Sequence, residues 1–495
     1  MIALNDVIDR IDDRLNPIIV KELRQVVRGK FFWGLLILFL GIQCVVLSLS
    51  IADRGLTNRS VGADTLSFLF VILFLASFAM IPLYSGFRFA RERNEGSDEL
   101  LFITTITPQS IIMGKFSASM IFILLIYSAF APFMAMTFFL SGVDFTVTFV
   151  VLIFGLLVSA CGTMLQIAFA SMAGDNNAMQ IFRVMGFVFQ IIVFFSLAGV
   201  CSDMVSHGVS RFFGSANFLS SFLSFASVMV MITYFLYIAA SAVISPAGTN
   251  KMLPVRRNFV FLWGLSFAMA AYWAVTFSDA KIFFFWGGVV NVALGWFAFV
   301  AVSERDHVSE RVARELPCGL FKRLSAFVFF SGAAGGLTWV FCMSLLTISL
   351  GSLLGELMPA VSTSEPLRRE FADFTIGLMA YSFAYSLIAA FIRRNFLAEY
   401  IDIRNTWVIA LLTCVVFSIA PIFVGIFMGA DSNLLMVGNP MMLLQSQSKG
   451  EGLLFAFITA LLGVFINLKW FFAQVREFFS VANPSELPPE AEQPR

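Results

Sequence analysis

Long apolar runs separated by short clusters of charge and turn residues dominate the chain. Twelve of these runs are long enough, or nearly so, to cross a bilayer: near 31–51, 66–87, 116–140, 145–172, 184–202, 217–244, 259–277, 282–302, 324–350, 374–392, 406–428 and 452–468. A helical crossing takes about 17–25 residues. The runs lack the period-2 alternation of barrel strands, and backbone groups facing lipid must be bonded within their own segment. The pattern therefore predicts an all-α integral membrane protein of about 12 transmembrane helices. The first run follows thirty charged, amphipathic residues and is longer than a signal-peptide core, so it reads as a span and not a cleaved leader.

Composition narrows the class further. Hydrophobic residues make up 59% of the chain and charged ones 13%, with 60 Phe, against about 45–50% and about 25% in soluble domains. Soluble, disordered and collagen-like classes are excluded. The net charge of +1 says little, but its distribution says much. With the N-terminus inside, 25 of the 32 Lys and Arg fall in inner segments and 7 in outer ones, the asymmetry expected of an N-in, C-in topology. One missed span would invert every later loop.

The chain divides at SPAGTNKMLPVRRN, 245–258, into two six-helix blocks. Four regions follow: cytoplasmic amphipathic helices over 1–30, a six-span unit over 31–245, a second six-span block over 246–482, and a Pro- and Glu-rich tail over 483–495 that is expected to be disordered. Arg88–Leu101 and Ser303–Leu316 occupy the same place in each block, after the second span. Duplication and chance likeness of two charged loops both account for that.

The span centres contain no Asp, Glu, Lys, Arg or His. Ion-coupled carriers usually need such a group near the midplane, and charge-ring channels need several. His207 and His307 cannot form an HExxH pair, no GxSxG elbow occurs, and no GxxxxGK[ST] loop is present. An enzyme is not expected, nor a cofactor or metal in this chain, nor a nucleic-acid partner. The six cysteines form no CxxC pair and mostly lie in apolar runs, which favours buried packing. For Gln43, Gln166, Gln190, Asn291 and Asn467, hydrogen bonding between helices is preferred over a substrate path. Gly332 and Gly336 form a GxxxG that close helix packing explains.

Two segments outside the spans carry more. In NPIIVKELRQVVRGK, 16–30, Asn16 can cap a helix and Pro17 suits its first position. Ile19, Leu23, Val26 and Val27 then share one face, with Lys21, Arg24 and Arg28 nearly opposite. That is a basic amphipathic helix at the inner membrane interface. In RERNEGSDELLFITTITPQSIIMGK, 91–115, Ser97 can cap a short helix and Thr107-Pro108 starts another leading into span three. Its apolar Leu100, Leu101, Phe102 and Ile103 need cover, from the membrane or from a soluble partner.

An Asn-Pro start, a basic KELRQ helix, two spans and a loop of the RER…G…ELL…T…P…GK form resemble ABC-2 type ABC transporter permeases. The residues are Asn16, Pro17, Lys21, Glu22, Leu23, Arg24 and Gln25, then Arg91, Glu92, Arg93, Gly96, Glu99, Leu100, Leu101, Thr105, Thr107, Pro108, Gly114 and Lys115. The resemblance covers residues 16–245 and implies a permease subunit of an ATP-driven transporter, an exporter, in a bacterial plasma membrane. It implies a separate cytoplasmic ABC ATPase as partner, with ATP and magnesium held there, and admits a second permease copy. By the same resemblance, Glu92, Arg93, Glu99, Leu100, Leu101, Thr107, Pro108 and Lys115 belong to the ATPase-coupling segment. Asn16, Pro17, Lys21, Glu22, Arg24 and Arg28 belong to the interface helix. Residues 246–495 depart from the pattern and read either as a diverged second unit or as an accessory domain. The competing functions are an ion-coupled 12-span secondary carrier and a non-transporting membrane scaffold.

Overall fold

The computed structural model describes residues 16–54, 61–94, 106–139, 145–172, 177–207, 217–246, 248–279, 281–317, 319–357, 365–428, 437–440, 443 and 449–480. All regular structure among them is helical. Among the described residues twelve helices are long and apolar enough to cross a membrane, so the chain is an all-α, multi-span membrane protein. It splits into two compact units, Met1–Ser245 and Pro246–Arg495.

Unit 1 begins with α1 (Pro17–Arg28), which breaks at Gly29 before the first span, α2 (Lys30–Arg54). The second span is α3 (Val61–Phe74), a π-turn (Leu75–Met80) and α4 (Ile81–Asn94). The remaining spans are α5 (Pro108–Phe139), α6 (Phe145–Ser171), α7 (Asn177–His207) and α8 (Phe218–Ile244). The second and fourth spans are central, and a core of Leu69, Phe70, Phe74, Phe130 and Phe154 joins them to their neighbours. Large apolar side chains also face outward: Ile37 is 67% exposed and Phe195 69%. Such a surface is stable only against lipid. At the π-turn the helix widens by one residue and loosens its own bonding. Side chains from neighbouring spans fill in, with Gln190 Nε2 donating to Phe78 O and Ser159 Oγ bonded to Ser77 Oγ at 3.0 Å.

Unit 2 contains α9 (Met252–Phe277), α10 (Lys281–Ala301), two short helices α11 (Glu310–Arg314) and α12 (Leu320–Phe329), then α13 (Ala333–Leu357), α14 (Glu365–Phe396), α15 (Thr406–Met428) and α16 (Lys449–Ser480). The run near 324–350 is thus not one helix. Phe330 is extended and α13 starts only at Ala333. Polar side chains replace the missing helical bonds: Arg256 donates to Val328 O at 2.9 Å and Phe330 O at 2.5 Å, Ser331 N donates to Asn250 at 3.0 Å, and Gly332 N donates to Glu304 at 2.7 Å. Hydropathy cannot detect this break, because the apolar run that starts at Leu324 in the second half of α12 continues through it with no charged residue. The GxxxG also divides. Gly332 sits in the break with open space around it, whereas a Cβ on Gly336 would come within 2.6 Å of Arg256 and 2.8 Å of Ala301.

Every pair of spans that packs in unit 2 also packs in unit 1, counted by position: first with second, second with third, fourth and fifth, third with fourth and sixth, fourth with fifth and sixth. Unit 1 adds a first-with-third contact; in unit 2 the short helix α12 lies against the first span instead. The five polar residues within spans are all buried. Four bond across helices, Gln43 to Leu69 O, Gln166 to Gly186 O, Gln190 to Phe78 O and Asn467 to Leu387 O. Asn291 instead bonds Gly287 O in its own helix at 2.9 Å.

Candidate coupling site

The residues that carry the family resemblance come from segments 94 positions apart, and the fold joins them at the end of unit 1 where the Lys- and Arg-rich segments lie. Asn16 caps α1, its Oδ1 accepting from Ile18 N at 3.0 Å, which satisfies one of the free amides of the first turn. Its Nδ2 donates to Ser110 O at 2.7 Å and Ser110 Oγ at 3.0 Å, tying that cap to the first turn of α5. Pro17 occupies the first helical position. Thr107 caps α5 in turn, Oγ1 accepting from Ser110 N at 3.3 Å, with Pro108 next. α1 then lies so close to α5 that a Cβ on Gly114 would stand 2.8 Å from Ile18. Only glycine leaves that contact intact.

Glu22 lies one turn beyond Ile18 and is 6% exposed. Lys115 Nζ reaches Glu22 at 2.7 Å and Glu92 at 2.6 Å. Arg88 approaches Glu22 at 3.3 Å and Glu92, one turn away on α4, at 3.5 Å. Lys115 also lies 4.8 Å from the centre of the Phe89 ring. Two acids and two bases from α1, α4 and α5 thus form one network, and the exposed Lys21 adds to the positive field on Glu92. Buried this far from water, a charge is tolerated only when paired and hydrogen-bonded. Arg93 leaves the network and donates to Ser171 O at the end of α6.

α1 therefore has three faces where the sequence predicts two. Ile18 and Glu22 are buried against protein and Val26 is half-buried; Val27 is 43% exposed on the apolar side, and Lys21, Arg24 and Arg28 are exposed. A helical-face reading assigns Glu22 to water because it cannot see Lys115 and Arg88. The i, i+4 spacing of Arg88 and Glu92, facing a lone lysine at the start of the next helix, is the signal that could have found the network. Glu99, Leu100 and Leu101 lie outside the described residues. Of the others, Lys115 and Glu22 are buried in the network and Glu92 partly so, which leaves Lys21, Arg24 and Arg28 as the exposed charges of the site.

Unit 2 carries charged pairs at the same end of its second span. Arg256 (2% exposed) is paired with Glu304. Burial holds the Glu304 carboxyl above its ordinary value, opposed by the Arg256 guanidinium and the Gly332 N–H. Asp306 accepts from Arg393 at 2.9 Å, Trp470 Nε1 at 3.0 Å and Gln474 at 2.8 Å, joining the ends of the fourth and sixth spans to the loop after the second.

No family model, curated protein or solved structure matches the chain.

α1, α4 and α5 are fastened to one another, and the ends of α4 and α5 flank residues 95–105.

Proposed function

We propose that the chain is the membrane-spanning permease subunit of an ATP-driven exporter of the ABC-2 kind, powered by a separate cytoplasmic ATPase that holds ATP and magnesium. The single observation that carries this reading is the convergence of Asn16, Glu22, Glu92, Gly114 and Lys115, which belong to the resemblance, on one interlocked network. In this reading the ATPase contacts residues 95–105 and the exposed basic face of α1. Nucleotide-driven movement there tilts the second and third spans as one body and opens a path first to one side of the membrane, then to the other. The common order of span packing supports treating unit 2 as a second permease unit, with the segment between α10 and α13 in the place of 95–105.

Co-purification of the detergent-solubilised protein tests the reading. An ATPase bearing a P-loop is expected to accompany the wild type and to be lost on Glu99→Arg or Leu101→Asp. Recovery of no ATPase, or recovery unaffected by either change, sinks it. In reconstituted vesicles, transport that persists without nucleotide and collapses with an ion gradient would establish a secondary carrier, and no transport at all would leave a scaffold.

A further inference from the structure

In unit 2 the third and sixth spans, α13 and α16, barely meet, and between them lies a crevice of about 430 Å³. Ala380 and Leu387 of α14 form its floor; Phe341 of α13 and Phe457, Leu461 and Phe472 of α16 form its walls. The wall residues are also exposed, Leu461 at 67% and Phe472 at 62%, so the crevice opens sideways into the space that lipid occupies around a multi-span protein. From Phe457 to Phe472 the wall runs about 22 Å at 1.5 Å per residue. That exceeds the depth of one leaflet, half of a hydrocarbon core of about 30 Å.

The two ends of the crevice differ in chemistry. Towards the C-terminal ends of α14 and α16 its lining changes to Asn467 and Trp470, and Arg394 bridges both. Its guanidinium donates to Asn467 Oδ1 and lies 4.6 Å from the Trp470 ring. The neighbouring Arg393 is paired with Asp306, whose remaining bonds go to Trp470 and Gln474. Arg394 makes no ion pair with a carboxylate among the described residues and is only half-buried. An apolar slot one leaflet deep thus ends at a positioned, half-buried cation that feels Asp306 only at longer range, the direct contact with that carboxylate being taken by Arg393.

We propose that the crevice binds an anionic phospholipid, one acyl chain lying between α13 and α16 over α14 and the phosphate resting on Arg394. A guanidinium held on an aromatic face presents its remaining N–H groups as a planar fork suited to phosphate oxygens. The equivalent position in unit 1 is closed: Ile111 and Ile112 of α5 share a buried cluster with Ala240 and Ile244 of α8. The proposal does not rest on the transport reading.

Trp470 lines the crevice and reports on it. Full-length protein is placed in vesicles of phosphatidylcholine containing phosphatidylglycerol, with bromine on the acyl chains of one lipid or the other. The Trp470 contribution is taken as the difference from Trp470→Phe. Quenching by brominated phosphatidylglycerol is expected at several-fold lower mole fraction than by brominated phosphatidylcholine. Arg394→Gln is expected to bring the two lipids level, and Arg394→Lys to keep most of the preference. Ala460→Phe, which narrows the crevice without touching Arg394, should weaken quenching by both. Equal quenching by the two lipids in the wild type, or a preference that survives Arg394→Gln, overturns the proposal. Should Arg394→Gln fail to fold, undiminished quenching in Ala460→Phe overturns it instead.

Discussion

In unit 1 the third and sixth spans close on each other through Ile111, Ile112, Ala240 and Ile244, and Tyr237 adds a hydrogen bond to Gln109 O at 3.4 Å. In unit 2 the same two spans part over α14, although the fourth and sixth spans pack closely in both units. The charged groups differ in the same sense. Unit 1 shares two acids between two bases around an added helix, α1, whereas unit 2 uses separate pairs, Arg256–Glu304 and Arg393–Asp306. One order of span packing thus supports a clamp in one unit and a lateral opening in the other. What varies is the third–sixth contact and the partners given to the ends of the second span.

The sharpest way to separate the two charge arrangements is to remove one base from each. Arg256→Met strands Glu304 and releases Val328 O and Phe330 O, and is expected to destabilise unit 2 by about 3–5 kcal/mol. Lys115→Met should cost less, because Arg88 remains to serve Glu22 and Glu92. Protease protection of each unit against temperature in detergent measures both. Equal losses would mean that Arg88 does not share the load and that the networks are alike.

Next in size are the glycines at the start of the third span. Gly336→Ala presses on Arg256 and Ala301 inside unit 2, and Gly114→Ala presses on Ile18 at the edge of unit 1. Overpacking of this kind costs about 1–3 kcal/mol. The larger loss is expected at Gly336, since its Cβ would crowd the Arg256–Glu304 pair and Ala301 of the second span together, whereas that of Gly114 meets α1 alone. A larger loss at Gly114 would show α1 to be the more rigid of the two. Asn16→Ala removes the cap of α1 and its tie to Ser110, for about 1 kcal/mol. Its effect should appear as faster hydrogen exchange in α1, with unit 2 unchanged. Smallest is Asn291→Leu, because Asn291 bonds only its own helix; Asn467→Leu stands above it, losing its bond to Leu387 O, worth about 0.6 kcal/mol between helices, and the bond it accepts from Arg394. The reverse order would contradict the hydrogen bonds described for these two.

The spans themselves are legible because a membrane leaves the backbone one solution per apolar run. Lys115 and Glu92 are legible only as members of the motif, and Arg88 only as part of the charged stretch after the second span. Their partners lie on another segment, and pairing across 93 positions leaves no periodic trace. The break at Phe330–Gly332 escaped for a related reason: the groups that replace its helical bonds, Arg256, Glu304 and Asn250, are distant in sequence, while the apolar run continues through it. The motif of the resemblance carries Glu92 and Lys115 along the sequence but says nothing of their charges facing one another.

The π-turn at Leu75–Met80 sets the phase of the second span. One additional residue turns everything beyond it by about 100° relative to an uninterrupted α-helix. The half before the turn is committed to the core through Phe70 and Phe74, and the half after it presents Arg88 to Glu22 and Glu92 to Lys115. A continuous α-helix could satisfy one of these commitments or the other. The inserted residue lets a single span answer to two sets of neighbours, as a keyed joint holds two shafts at a chosen angle.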